Sequence, residues 1–157
     1  MSNDSPQSTA SLQPIARVHL NAIHPMLVPF PIVCFIGAFV TDLVYWHTAA
    51  VQWETFSVWL LSVGMVMAGF AVLAGLIDFV GNRQIRALRP AWLHVLANAV
   101  ALILALINAF VHSRDGYTAV IPTGLVLSTL VVLILMLNVW TGWSMIYRRG
   151  VGVSLST

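Results

Sequence analysis

The stretch that decides the fold is His24 to Asp42, HPMLVPFPIVCFIGAFVTD. It is an apolar run with an imidazole at one end and a carboxylate at the other. The two polar residues stand eighteen positions apart. At about 100° per helical residue, eighteen positions make five full turns, so both side chains share one face. A helix of this kind suits lipid if that face turns toward protein. An ionisable residue inside such a segment is a functional candidate by default.

Working outward, the whole chain has this character. Hydrophobic residues make up 59% of its 157 positions and charged residues only 8%. Soluble domains carry about 25% charged residues, so this composition cannot cover a water-facing surface and predicts an integral membrane protein. Seven arginines and no lysine give a formal net charge of +2. The arginines are scattered at segment ends rather than drawn into a basic stripe, which excludes nucleic acid as a partner. The single cysteine, Cys34, cannot form an internal disulfide and reads as a small packing residue. No C-x-x-C-H is present for covalent c-type haem.

Residues 1–22 are polar and rich in Ser, Gln and Pro, and read as a largely disordered tail without a cleavable signal peptide. Within it LQPIARVHLNAI has the pattern of a short interfacial helix. Four apolar segments follow in the domain 23–149, at about 26–46, 56–79, 91–111 and 123–147, and 150–157 form a C-terminal tail. Each is long enough to cross a hydrocarbon core of about 30 Å. Short connections between them predict an all-α, up-down-up-down four-helix bundle. Arg17, Arg83, Arg86, Arg89, Arg148 and Arg149 fall on one side and only Arg114 on the other, which predicts both termini inside. Gly64, Ala68, Ala71 and Gly75 form a small-residue face open to close helix contact, and a second copy or another membrane protein is a partner for it.

The third segment carries a polar stripe. With His94 at zero, Asn98, Asn108 and His112 fall within about 40° of it. Matching depths then gives two polar layers. His24, His94 and Asp78 lie at one end, with Asn98 close by, and Asp42, His47, Asn108 and His112 lie at the other. Two imidazoles on facing helices suit a b-type haem. In this reading His24 and His94 ligate the iron, and Asp78 orients one imidazole through its second nitrogen. Arg83 and Arg86 meet the propionates. A second haem between His47 and His112 is a weaker arrangement of the same kind. A plain alternative exists for each group: interfacial anchoring for the histidines, interhelical bonding for the asparagines, an ion pair with Arg83 for Asp78.

Four pieces of sequence together resemble the DUF2231 family of small four-helix bacterial membrane proteins: HPMLVPFPI, TDLVYW, GLIDF and the H-x-x-x-N of His94 and Asn98. The resemblance runs from about Ile23 to Arg148 and marks His24, Asp42, Asp78, His94 and Asn98. Proteins that look like this often occur beside or fused to Rieske-type and c-type cytochrome modules, which implies electron transfer. The resulting expectation is a multi-pass redox subunit of the bacterial inner membrane. It would hold haem b and pass electrons between a periplasmic redox protein and the quinone pool, as an accessory subunit rather than a stand-alone enzyme. Two other classes compete. One is a transporter, proton pathway or metal site, with His24, His94 and Asp78 taking Zn or Fe. The other is a structural or assembly subunit with no cofactor.

Overall fold

The structure is a computed structural model and describes residues 23–114 and 120–149. The two tails, the candidate interfacial helix and Asp115 lie outside the described residues. The chain forms α1 (Ile23–Leu27), α2 (Pro29–Thr48), α3 (Val51–Gly81), α4 (Arg83–Arg86), α5 (Arg89–Ser113) and α6 (Leu125–Arg149). A kinked turn, Val120–Gly124, leads into α6, with Ile121 in extended conformation. Four helical stretches are long and apolar enough to cross a membrane: Ile23–Thr48, Val51–Gly81, Arg89–Ser113 and Val120–Trp143.

α1 and α2 act as one span. Pro29 and Pro31 have no N–H to donate, so the ladder is interrupted at Val28, whose own dihedrals remain helical. The far end of α2 is sharper than the sequence suggests. Ala49 adopts a left-handed conformation, φ 52°, and its N–H donates to the Tyr45 carbonyl at 2.8 Å. The chain therefore reverses within two residues, and α3 starts at Val51. The residues Gln52 to Thr55, which read as loop for their polarity, form the first turn of α3.

Burial explains that helical turn. Buried positions on α3 are Glu54, Ser57, Leu61, Gly64, Ala68 and Ala71, in alternating steps of three and four. The same rhythm runs through Pro31, Phe35, Ala38, Asp42 and Tyr45 on α2 and Ala101, Ala105, Asn108 and His112 on α5. It also runs through Ser128, Val131, Leu135 and Asn138 on α6. A repeat of 3.5 residues keeps one narrow seam toward the partners of each helix. α2 packs against α3 and α6, and α5 packs against α3 and α6, so α2 and α5 stand on one diagonal. The middle of the core is apolar, built from Phe35, Ala38, Leu61, Ala68, Ala101, Ala105, Val131 and Leu135. Large apolar side chains such as Trp59, Val66, Phe70 and Leu137 face outward, as lipid contact requires.

The small-residue face of α3 is spent inside the bundle. A Cβ on Gly64 would lie 2.9 Å from Phe35 Cε1 and 3.0 Å from Cys34 Cβ, and one on Gly75 would lie 2.8 Å from His24 Nδ1. Within the bundle, α2 packs on the Gly64 end of this face and α1 on the Gly75 end. Gly64→Ala is accordingly expected to lower stability by about 1–3 kcal/mol through overpacking. Gly69→Ala, whose new methyl meets nothing within 4 Å, is expected to gain about 0.5–1 kcal/mol from backbone entropy. Unfolding of the two variants in detergent micelles measures the contrast.

Candidate functional site

At one end of the bundle the Asp42 carboxylate is fully buried. Each of the other three spans gives it one donor. Ser57 on α3 donates to Oδ1 at 2.6 Å, His112 on α5 meets Oδ1 through Nε2 at 2.9 Å, and Ser128 on α6 donates to Oδ2 at 2.5 Å. Thr41 Oγ1 lies 2.6 Å from Ser57 Oγ, a contact in which either hydroxyl can donate, and is also placed to donate to the Gly37 and Ala38 carbonyls at 3.0 and 2.9 Å. Asn108 Nδ2 donates to Ser128 at 2.8 Å. His112 fits closely under the chain, since a Cβ on Gly124 would approach its Cε1 to 2.7 Å.

The protons of this network can be counted. His112 Nδ1 lies 2.9 Å from the Asn108 carbonyl, which can only accept, so Nδ1 carries a hydrogen. The contact between Nε2 and Oδ1 then holds one further proton. With that proton on nitrogen the two groups are an imidazolium and a carboxylate, and with it on oxygen they are an imidazole and a carboxylic acid. Both forms are neutral as a pair, which a low-dielectric interior favours. Glu54, one turn before Ser57, is only 5% exposed and lies within electrostatic reach of His112 and Asp42.

The opposite end holds a different constellation. His24 on α1 and His94 on α5 face each other across the bundle, with ring centroids 6.5 Å apart and planes at 88°. His24 Nδ1 donates to the Ala71 carbonyl of α3 at 2.8 Å, which leaves Nε2 as the free lone pair. His94 Nδ1 is buried without a hydrogen-bond partner among the described residues. Each ring rests beside a glycine of its neighbouring helix, His24 at Gly75 and His94 at Gly142, where a Cβ would lie 3.4 Å from His94 Cε1. Asn138 on α6 donates to the His94 backbone carbonyl at 3.3 Å.

The residues picked out by sequence thus divide. His24 and His94 come together, as do Asp42, Asn108 and His112. Asp78 and Asn98 are half-buried on α3 and α5. Among the described residues the Asp78 carboxylate bonds to neither histidine; the Ala71 carbonyl holds His24 instead. Arg83 is exposed and Arg86 half-buried in α4, at the His24 end. His47 is exposed and its ring lies tilted against Trp46 at 5.2 Å, outside the Asp42 layer, because five residues past Asp42 is about 140° around the helix and off the seam. This corrects its place in a second layer and removes it as a partner for His112. Sequence reasoning missed Ser57, Ser128, Thr41 and the burial of Glu54. The signal was available: Glu54 and Ser57 continue the rhythm of Leu61, Gly64, Ala68 and Ala71.

The two ends predict different losses. Asp42→Ala strands an imidazolium and two hydroxyls and is expected to cost about 3–5 kcal/mol, as for a broken buried pair. Ser128→Ala is expected to cost about 1–3 kcal/mol by leaving acceptor and donor unmet. His47→Ala should stay within about 0.5 kcal/mol of the parent. Reversible unfolding in mixed micelles ranks the three.

The comparisons with known proteins agree with this architecture. No curated protein and no solved structure matches the chain. The family model of DUF2231, described as a predicted membrane protein, matches residues 20–155. That span takes in all four membrane-crossing helices and both polar layers, and the chain belongs to the DUF2231 family.

Proposed function

We propose that this chain is a membrane redox subunit that holds a b-type haem between His24 and His94. The observation that carries the reading is the facing pair of imidazoles, 6.5 Å between centroids, with His24 Nε2 left free by the bond to Ala71. Metal–imidazole bonds are about 2.0–2.1 Å. Two imidazoles sharing one metal atom through bonds of that length would have centroids on the order of the separation seen between His24 and His94. A hydrogen bond from Nδ1 to a backbone carbonyl is the usual way a ligating imidazole is oriented. The buried, unpartnered Nδ1 of His94 is a second polar atom in want of a partner.

Donor count favours haem over a bare ion. Structural or catalytic zinc takes three or four protein ligands. Among the described residues no group of three His, Cys, Asp or Glu side chains stands close enough to hold a metal ion, so Asp78 does not complete a set with the two histidines. A porphyrin brings four nitrogens of its own and asks the protein for two. Haem, when bound, supplies one-electron chemistry. His24 and His94 would hold it, His24 oriented by the Ala71 carbonyl and the two rings seated beside Gly75 and Gly142. Arg83 and Arg86 on α4 offer cations at the same end.

The arginine distribution supports an orientation with both termini and the His24–His94 end on the inner side of a bacterial cytoplasmic membrane. In that setting the partners are the quinone pool and a periplasmic redox protein. Transport or proton conduction is the second reading, and the buried Asp42–His112 pair is the observation that favours it.

Protein expressed with haem supplied and purified in detergent is expected to show a Soret band that shifts on reduction. His24→Ala and His94→Ala should each abolish it. Gly75→Ala should weaken it several-fold, because the added methyl enters the space of the His24 ring. A folded, colourless parent protein would remove the haem reading.

A further inference from the structure

The Asp42 layer is left over by the redox reading, and it holds one unexplained atom. Asn108 is fully buried, its Nδ2 donates to Ser128, and its Oδ1 has no partner among the described residues. Asp42, Ser128 and Asn108 form a chain with one hydroxyl in the middle. Such a chain can run in two directions. In the first, Asn108 Nδ2 donates to Ser128 and Ser128 donates to the Asp42 carboxylate. In the second, the Asn108 amide is rotated by half a turn. A protonated Asp42 then donates to Ser128, and Ser128 donates to the amide oxygen.

The second direction needs one more proton than the first. Before uptake, Asp42 and His112 share a single proton beyond the one on Nδ1. After uptake, His112 remains an imidazolium and Asp42 is a carboxylic acid, so the site has gained one proton and one positive charge. No bond other than O–H is made or broken. In either direction one atom of the Asn108 amide is unmatched, an acceptor before and a donor after. A water molecule can satisfy it in both states.

We propose that Asp42 and His112 are a proton-binding site that takes up one proton from the adjacent aqueous face through Glu54. Every ionisable group around the site bears on this. α3 contributes Glu54, α5 contributes His112, and α2 contributes Asp42 with Tyr45 one turn along. α6 faces the site with Ser128, a hydroxyl. Glu54 is a buried acid one turn from Ser57, within electrostatic reach of His112 and Asp42. His47 and Arg114, at the same end, are exposed. The site is separate from His24 and His94 at the other end of the bundle, so it stands whether or not those two residues bind haem.

The test uses the full chain in lipid nanodiscs, labelled with carboxyl-13C aspartate, and infrared difference spectra after a pH jump from roughly pH 8 to pH 5. A labelled carboxylic-acid band is expected to appear, with a simultaneous shift of an asparagine amide band. The acid band should be missing in Asp42→Asn. In Ser128→Ala the acid band should remain while the amide shift is lost. In Glu54→Gln the acid band should appear at least ten times more slowly. Two results overturn the proposal: no acid band in the parent chain between the two pH values, or one that survives in Asp42→Asn, means that Asp42 takes up no proton. An unchanged rate in Glu54→Gln overturns the entry route.

Discussion

A carboxylate inside a lipid-facing bundle has no water to turn to, so donors on neighbouring helices must meet its oxygens. In this protein one side chain from each of the other three spans does so, and the position of every helix is thereby tied to Asp42. Apolar packing cannot set this register by itself, because lipid tails are as apolar as the core. The Ala- and Gly-rich seams let the helices approach closely, and the hydrogen bonds around Asp42 choose the depth at which they do so. The two serines matter for the same reason as the histidine: each is a short donor on a seam position that an apolar side chain would otherwise fill.

The second organising feature is the separation of the polar layers. His24 and Asp42 stand eighteen residues apart on one seam, and His94 and His112 stand eighteen apart on the diagonal one. Between them the core is aliphatic and aromatic, with no polar side chain among its clustered residues. The bundle therefore has a half-buried imidazole pair at one end and a buried acid–imidazole pair at the other, joined by helices. The proposed electron chemistry belongs to the first end and the proposed proton chemistry to the second. The aliphatic core between them separates the two polar layers.

Much of this was legible in the sequence, and the reasons are physical. Membrane insertion followed from the scarcity of charge, and the inward faces followed from helical geometry applied to His24, Asp42, His94 and His112. Both are properties of single segments. What stayed hidden depended on partners. Ser57 and Ser128 look like ordinary small residues until Asp42 is placed beside them. Glu54 looked like loop because polarity was given more weight than its three-residue step to Ser57. His47 was placed by depth alone, although five residues past Asp42 is about 140° around the helix, which turns it off the buried seam. Asp78 matched the depth of His24, yet depth alone does not fix the angle around a helix axis, and the backbone of Ala71 stood nearer.

The claim on which the account depends is that Asp42 and His112 are bonded to each other across the bundle, and a double-mutant cycle measures that bond directly. Unfolding free energies of Asp42→Asn, His112→Gln and the double variant give the coupling. The account predicts that the double variant is more stable than the sum of the two losses implies, by about 1–3 kcal/mol. Strict additivity of the two losses would mean that the residues do not meet, and it would contradict the arrangement described above.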